Sequence, residues 1–88
     1  MTQPLVTMYV SDWCPYCQRA KCLLTKKNVV FSEINIEDAA ALREEMMARS
    51  NRRTVPQIFI GDKHVGGCDD LFALDQSGEL DRLIQGAG

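Results

Sequence analysis

Residues 5–17 read LVTMYVSDWCPYC, an apolar run followed by two closely spaced cysteines. Leu5 to Val10 alternates and contains β-branched and aromatic residues, which is typical of a strand, and the strand is expected to end at the polar Ser11-Asp12. From Pro15 to Lys27 apolar residues recur at helical spacing, and the basic residues at the end of this segment suit a helix C-terminus. The stretch therefore predicts a strand that leads directly into a helix.

The middle of the chain repeats this pattern. Val29 to Ile36 has the composition of a second strand. A second helix is expected to open at Asp38 and to end at Ser50-Asn51, because Leu42, Met46 and Met47 share one of its sides. Two strands joined through a helix imply a right-handed crossover with parallel strands.

The last third of the chain changes character. Gln57–Ile60 and Lys63–Val65 flank the turn pair Gly61-Asp62, which indicates an antiparallel hairpin. One final helix is expected to start at Asp69-Asp70, whose charges suit a helix N-terminus. The predicted fold is therefore α/β, in the order β-α-β-α-β-β-α, in a single domain over residues 1–88.

The composition is that of an ordinary globular chain: 45% of the 88 residues are hydrophobic and 25% are charged. A formal net charge of -2 gives no positive field for a phosphate backbone, so a nucleic acid partner is not expected. The apolar run near the N-terminus is too short for a signal peptide or a membrane span. These features predict a cytoplasmic protein without a membrane partner.

Four cysteines are present, and Cys14 and Cys17 have the spacing Cys-x-x-Cys. In a reducing compartment this spacing favours a redox or metal site over a structural disulfide. Zinc would need two more ligands, and the candidates, Cys22, Cys68 and His64, form no second close pair. We therefore expect redox chemistry and no metal site, with Cys22 as a small packing residue and His64 as a plain surface histidine.

The roles of the two cysteines follow from their places on the predicted helix. If the helix begins at Pro15, Cys14 is its N-cap residue and faces unpaired backbone N–H groups, which favour a thiolate. Cys17 lies one turn further along, more covered, at a Cα separation of roughly 5–6 Å that a disulfide accepts. Cys14 is therefore the expected nucleophile and Cys17 the resolving thiol.

Three separated blocks resemble the dithiol glutaredoxins of the small bacterial type: CPYC at 14–17, TVPQIFI at 54–60 and GGCDDL at 66–71. The resemblance extends over almost the whole chain. It implies a thioredoxin-like fold, with a four-stranded mixed sheet flanked by helices. It also implies a glutathione-dependent oxidoreductase that reduces protein disulfides and glutathione mixed disulfides, without a tightly bound cofactor.

The second block implies one half of a glutathione site. In the family the block corresponding to Thr54, Val55 and Pro56 presents a cis proline beside the nucleophile, and the backbone of Val55 would pair with the cysteine of glutathione. Tyr16 is expected to border the same groove. On the residues alone, Pro56 could simply begin a strand.

The third block implies the other half. The N–H groups of Cys68 and Asp69, next to Gly67, would bind the γ-glutamyl carboxylate, and the Asp69 side chain would meet the amino group of glutathione. A helix start is a ready anion site, although Asp69 could equally be an ordinary N-cap residue.

The charges around the site depart from the family in one place. The family commonly carries a lysine three residues before the nucleophile, where this chain has Ser11, and Asp12 adds an opposing charge. A local basic cluster precedes the second block, and one of its members is expected to pair with the glycyl carboxylate of glutathione; the candidates are Arg49, Arg52 and Arg53.

The expected partners are glutathione and disulfide-containing or glutathionylated proteins, and the expected oligomeric state is a monomer. Two alternatives stay open at this point. One is a thioredoxin-like electron donor reduced directly by a flavoprotein. The other is an iron-sulfur carrier in which Cys14 and glutathione hold a cluster between two subunits.

Overall fold

The computed structural model describes residues 4–85. Its elements, in chain order, are β1 (Val6–Val10), α1 (Pro15–Lys26), β2 (Phe31–Asn35), α2 (Ala40–Ser50), β3 (Gln57–Ile60), β4 (Lys63–Gly66), α3 (Cys68–Ser77) and α4 (Glu79–Ile84). None of the helices within 4–85 is long and apolar enough to cross a membrane.

The four strands form one sheet in the order β2-β1-β3-β4. β1 runs parallel to β2 and antiparallel to β3, and β3 pairs antiparallel with β4. The strand-helix-strand unit therefore supplies the parallel pair and the hairpin supplies the antiparallel one. The mixed four-stranded sheet expected from the resemblance is confirmed.

Helices cover both faces of this sheet, so every residue of the central strands β1 and β3 is buried. On one face Met8 and Ile58 pack with Leu24 of α1 and Leu71 of α3. On the other face Tyr9 and Phe59 pack with Ile36 and with Met46 of α2. Burial of side chains of this size contributes roughly 1.5–3 kcal/mol each. The loops described below lie at one end of the two central strands, after β1 and before β3.

Three differences from the predicted elements exceed a single residue at a boundary. The second strand begins at Phe31 and α2 begins at Ala40, two residues after Asp38. The last helical segment is two helices rather than one. Gly78, with φ 83°, ends α3 in the left-handed conformation, which only glycine adopts at little cost, and α4 follows at once.

Two predictions about single residues are wrong. Cys22 is exposed rather than packed, because the buried stripe of α1 consists of Cys17, Ala20, Leu23 and Leu24 and position 22 falls off it.

His64 is not a plain surface residue. Its ring is partly buried, lies 4.9 Å from the ring of Phe59 between centroids, and has a hydrogen-bond partner in Gln57 at 2.7 Å.

Candidate active site

Cys14 is the N-cap residue of α1, as the sequence predicted. Its backbone is extended, with φ -109° and ψ 103°, and Pro15 occupies the first helical position. The sulfur accepts a hydrogen bond from the backbone N–H of Cys17 at 3.1 Å. An unpaired N–H of the first turn is thus aimed at the sulfur, and this contact becomes stronger when the sulfur carries a negative charge.

Cys17 differs from Cys14 in its surroundings. Its side chain is 1% exposed, whereas that of Cys14 is partly exposed. Burial, reinforced by the neighbouring Cys14, raises the pKa of Cys17 to about 12. Cys17 is therefore a protonated thiol at neutral pH, and no disulfide joins it to Cys14.

The peptide bond between Val55 and Pro56 is cis. This loop lies against the start of α1, since the thiol of Cys14 is 3.8 Å from the carbonyl oxygen of Val55. The structure therefore brings the second sequence block to the nucleophile, in the isomer that the resemblance implied.

A narrow groove of about 300 Å³ lies along this loop. We call it the narrow groove; it is lined by Tyr16, Arg52, Thr54, Val55, Pro56, Gly67, Cys68, Asp69 and Asp70. All seven residues that the resemblance implied for glutathione binding lie along it. The residues come from three distant parts of the chain: the start of α1, the loop before β3 and the start of α3.

The floor of one end of the narrow groove is the N-terminus of α3. Asp70 accepts a hydrogen bond from the N–H of Gly67 at 2.9 Å and from Nη1 of Arg52 at 2.8 Å. These two contacts, the Gly67 N–H above all, lower the pKa of Asp70. Cys68 is buried, and burial raises the pKa of its thiol. Its backbone lies in the first turn of α3, where N–H groups have no partner within the helix.

The arginines of the basic cluster separate into different environments. Arg49 donates to the hydroxyl of Tyr9 at 2.7 Å and stacks on Phe59 at 4.1 Å, on the α2 face of the sheet. Arg52 alone among the three lines the narrow groove, and Arg53 is exposed. The geometry thus leaves Arg52 as the cation nearest the predicted glutathione site.

Comparison with known proteins shows which family has this arrangement. Residues 6–65 match the family model described as Glutaredoxin. The chain belongs to the glutaredoxin family. Glutaredoxin 3 of Escherichia coli strain K12 is 58% identical over 80 residues, which is 91% of this chain and 96% of that protein. Glutaredoxins are glutathione-dependent thiol-disulfide oxidoreductases, and this chain has that activity through its Cys14/Cys17 dithiol.

Solved glutaredoxin structures confirm the fold. The solution structure of the Brucella melitensis glutaredoxin has a TM-score of 0.88 and 49% identity, and covers 100% of this chain and 96% of its own. A crystal structure of buckwheat glutaredoxin in complex with glutathione has a TM-score of 0.85 and 28% identity, over 93% of this chain and 77% of its own.

Sequence reasoning missed a cation in this glutaredoxin. A wide groove of about 750 Å³ lies on the other side of Cys14 and contains Ser11, Trp13, Lys21 and Glu33. Lys21 forms an ion pair with Glu33 at 2.8 Å, and this contact raises the pKa of Lys21. A lysine seven residues after Cys14 is two helical turns away on the same face, a spacing that the sequence already contained.

Proposed function

We propose that Cys14 is the sole nucleophile of this glutaredoxin and that the narrow groove holds the glutathionyl part of its substrate. The single observation that carries this proposal is the place of the Cys14 sulfur, which lies at a helix N-terminus and 3.8 Å from the carbonyl oxygen of Val55, a residue that lines the narrow groove. With a glutathione mixed disulfide, the Cys14 thiolate attacks the glutathione sulfur. The S–S bond of the substrate breaks, and the partner leaves as a thiolate that takes up a proton.

A second glutathione thiolate then attacks the glutathione sulfur that is bound to Cys14. Oxidised glutathione forms and the Cys14 thiolate is released, so that each cycle consumes one free glutathione and releases the partner as a free thiol. The buried Cys17 is not needed in this cycle.

A protein disulfide requires the second cysteine. After Cys14 has formed a mixed disulfide with the protein, Cys17 loses its proton and attacks the Cys14 sulfur. The reduced protein leaves, and a Cys14–Cys17 disulfide remains for glutathione to reduce. A thiol already held one turn away acts at high effective concentration, which favours this route for bulky partners.

The groups that line the narrow groove match the three residues of glutathione. The orphan N–H groups of Cys68 and Asp69 suit the γ-glutamyl carboxylate, and the Asp69 side chain suits the amino group. The Val55 backbone pairs with the central cysteine, and Tyr16 covers the groove from α1. Arg52 is placed to pair with the glycyl carboxylate. The solved complex of buckwheat glutaredoxin with glutathione supports glutathione as the ligand.

Adjacent arginines provide a matched test of the groove. Arg52 lines it and Arg53 does not. Loss of one charge-assisted contact at a partly exposed site should raise the KM for a glutathionylated peptide about fivefold in Arg52→Gln, with kcat retained. Arg53→Gln should leave both constants unchanged. Equal effects of the two substitutions would contradict the assignment of the groove.

Glutathione and glutathionylated or disulfide-bonded proteins are the partners in this proposal, and the reaction needs one copy of the chain and no tightly bound cofactor. The cytoplasm suits the reaction because glutathione keeps thiols reduced there. All four strands, from Val6 to Gly66, belong to one sheet, which supports a single domain over 1–88.

A further inference from the structure

Gln57 is a polar side chain with no exposed surface, at the start of β3 directly after the cis proline. A buried amide is costly unless both of its ends have hydrogen-bond partners. Here both ends do. Its Nε2 lies 3.0 Å from the carbonyl oxygen of Thr54 and 3.3 Å from the Thr54 hydroxyl, and its Oε1 lies 2.7 Å from Nε2 of His64.

The chemistry of these groups sets the direction of the hydrogen bonds. The Thr54 carbonyl can only accept, so the Gln57 amide must turn its NH2 group toward Thr54. Its oxygen then faces His64, and Nε2 of His64 must donate. Burial lowers the pKa of His64, which leaves the ring neutral with its hydrogen on that nitrogen.

His64 in turn is held by the sheet. It lies on β4 opposite Phe59 in the strand register, and the two rings stack with 4.9 Å between their centroids. Gln57 is the diagonal neighbour of His64 on the same face of the hairpin. The chain of contacts thus runs from a rigid hairpin, through one buried amide, to the loop beside Cys14.

Thr54 connects these contacts to the narrow groove, because it shares a peptide group with Val55. The carbonyl of Thr54 and the N–H of Val55 belong to one planar peptide group, so fixing the carbonyl also fixes the direction of the N–H. Val55 lines the narrow groove, and its own carbonyl lies 3.8 Å from the Cys14 sulfur. The Val55 backbone is the group that the proposed function pairs with the cysteine of glutathione.

We propose that Gln57, anchored by His64, is a positioning residue that orients the Thr54–Val55 peptide group toward the glutathionyl part of the substrate. This inference rests on the proposed function of the narrow groove. Gln57 touches neither the reacting sulfur nor the substrate. It therefore affects the recognition of glutathione and leaves the intrinsic reactivity of Cys14 unchanged.

Two disulfide substrates separate positioning from a merely structural role. The first is a glutathionylated peptide and the second is 2-hydroxyethyl disulfide, which has no glutathionyl group. The single tryptophan, Trp13, precedes Cys14 and reports the reaction of the reduced protein in stopped-flow fluorescence. The rate constant of each substrate with Cys14 is measured separately, without added glutathione.

Gln57→Met keeps the length of the side chain and removes both hydrogen bonds. His64→Phe keeps the stacking on Phe59 and removes the donor to Gln57, whereas His64→Gln keeps an N–H donor. In both Gln57→Met and His64→Phe the Thr54–Val55 peptide group loses orienting support worth about one hydrogen bond. The rate constant with the glutathionylated peptide should therefore fall about fivefold in these two variants. The rate constant with 2-hydroxyethyl disulfide should not change, and His64→Gln should restore the first rate constant.

Equal losses with the two substrates, or a His64→Phe variant that reacts like the original protein, would overturn the proposal. Because His64 is only partly buried, its two variants give an answer even if Gln57→Met does not fold. Failure of the proposed function has a different signature. In that case the unsubstituted protein itself would show no preference for the glutathionylated peptide.

Discussion

The backbone N–H of Cys17 donates to the sulfur of Cys14 over 3.1 Å, so the resolving residue supplies part of the site that stabilises the nucleophile. The contact uses the main chain of Cys17 and leaves its thiol buried. A substitution of the Cys17 side chain therefore keeps the hydrogen bond to Cys14. This separation of backbone and side-chain roles underlies several of the predictions below.

The first prediction concerns Cys68, whose thiol is buried and whose backbone lies at the start of α3. Cys68→Ala removes the thiol and keeps the helix N–H groups that bind a carboxylate in the proposed function. We expect most of the activity toward a glutathionylated peptide to remain, with a small decrease in Tm. A loss as deep as that of Cys14→Ser, measured in the same glutathione-coupled assay, would show that the Cys68 thiol takes part in the chemistry.

The second prediction concerns Gly66, which has φ 123° and lies against Asp70. A Cβ at Gly66 would come within 2.7 Å of Cγ of Asp70, the residue that holds both Gly67 and Arg52. Gly66→Ala should therefore displace the Asp70 carboxylate and lower the free energy of unfolding by more than about 2 kcal/mol. It should also lower the activity toward glutathionylated substrates, because the displaced Asp70 disturbs the end of the narrow groove.

Gly61 provides the matched control for this substitution. Its φ is also positive, at 60°, but an added Cβ would meet nothing within 4 Å. Gly61→Ala should cost only the backbone strain of about 1 kcal/mol and leave activity intact. Urea unfolding of both variants measures the difference, and an equal cost at the two positions would contradict the role given to Asp70.

Much of this architecture could be predicted from the sequence, because it depends on local patterns. The alternation in β1 and the proline at the first position of α1 were sufficient to place Cys14 at a helix N-cap. The cis bond before Pro56 was not visible in any local pattern and came from the family resemblance alone. Gly78 shows a limit of periodicity, since an apolar stripe continues across a glycine that breaks the helix.

The residues that sequence reasoning placed wrongly or missed depend on long-range geometry. His64 meets Gln57 because β4 folds back along β3 and places His64 opposite Phe59, two residues from Gln57. Arg49 and Arg52 are close in sequence, yet Arg49 contacts Tyr9 and Phe59 of the sheet, whereas Arg52 lines the narrow groove. No pattern along the chain distinguishes them, because the direction of each side chain is set by where the end of α2 meets the sheet.

The third prediction is a pH dependence of stability. The thiol of Cys17 has its pKa raised to about 12 by burial, whereas a thiol in an unfolded chain titrates near about 8.5. The folded protein thus disfavours the Cys17 thiolate. The contribution of the protonated thiol to the free energy of unfolding is therefore complete below about pH 8.5 and is lost as the pH rises toward 12. We expect the free energy of unfolding of the reduced protein to fall over this range.

Two cysteine variants isolate the contribution of Cys17 from other groups that titrate at high pH. In Cys17→Ala the fall should be shallower. Cys22→Ala, which removes an exposed thiol from the same helix, should give the original slope. Denaturant unfolding at a series of pH values tests this, and identical slopes in all three proteins would argue against a buried, protonated Cys17.

The fourth prediction separates the two cysteines by reaction. Cys17→Ser should lose much of its activity toward a protein disulfide, because glutathione must then replace a resolving thiol held one turn away from Cys14. A disulfide-bonded protein substrate with glutathione in excess measures this loss. Full activity of Cys17→Ser in that assay would mean that Cys17 has no part in resolution.

The central claim, that Cys14 alone is the nucleophile, is tested most directly by the rate of glutathione removal from a glutathionylated peptide, with glutathione in excess. Cys14→Ser, Cys17→Ser and the unsubstituted protein are compared in one assay. We predict that Cys17→Ser retains most of the rate, since its backbone N–H still supports the Cys14 sulfur, and that Cys14→Ser has none. An inactive Cys17→Ser, or residual turnover by Cys14→Ser, would contradict the account.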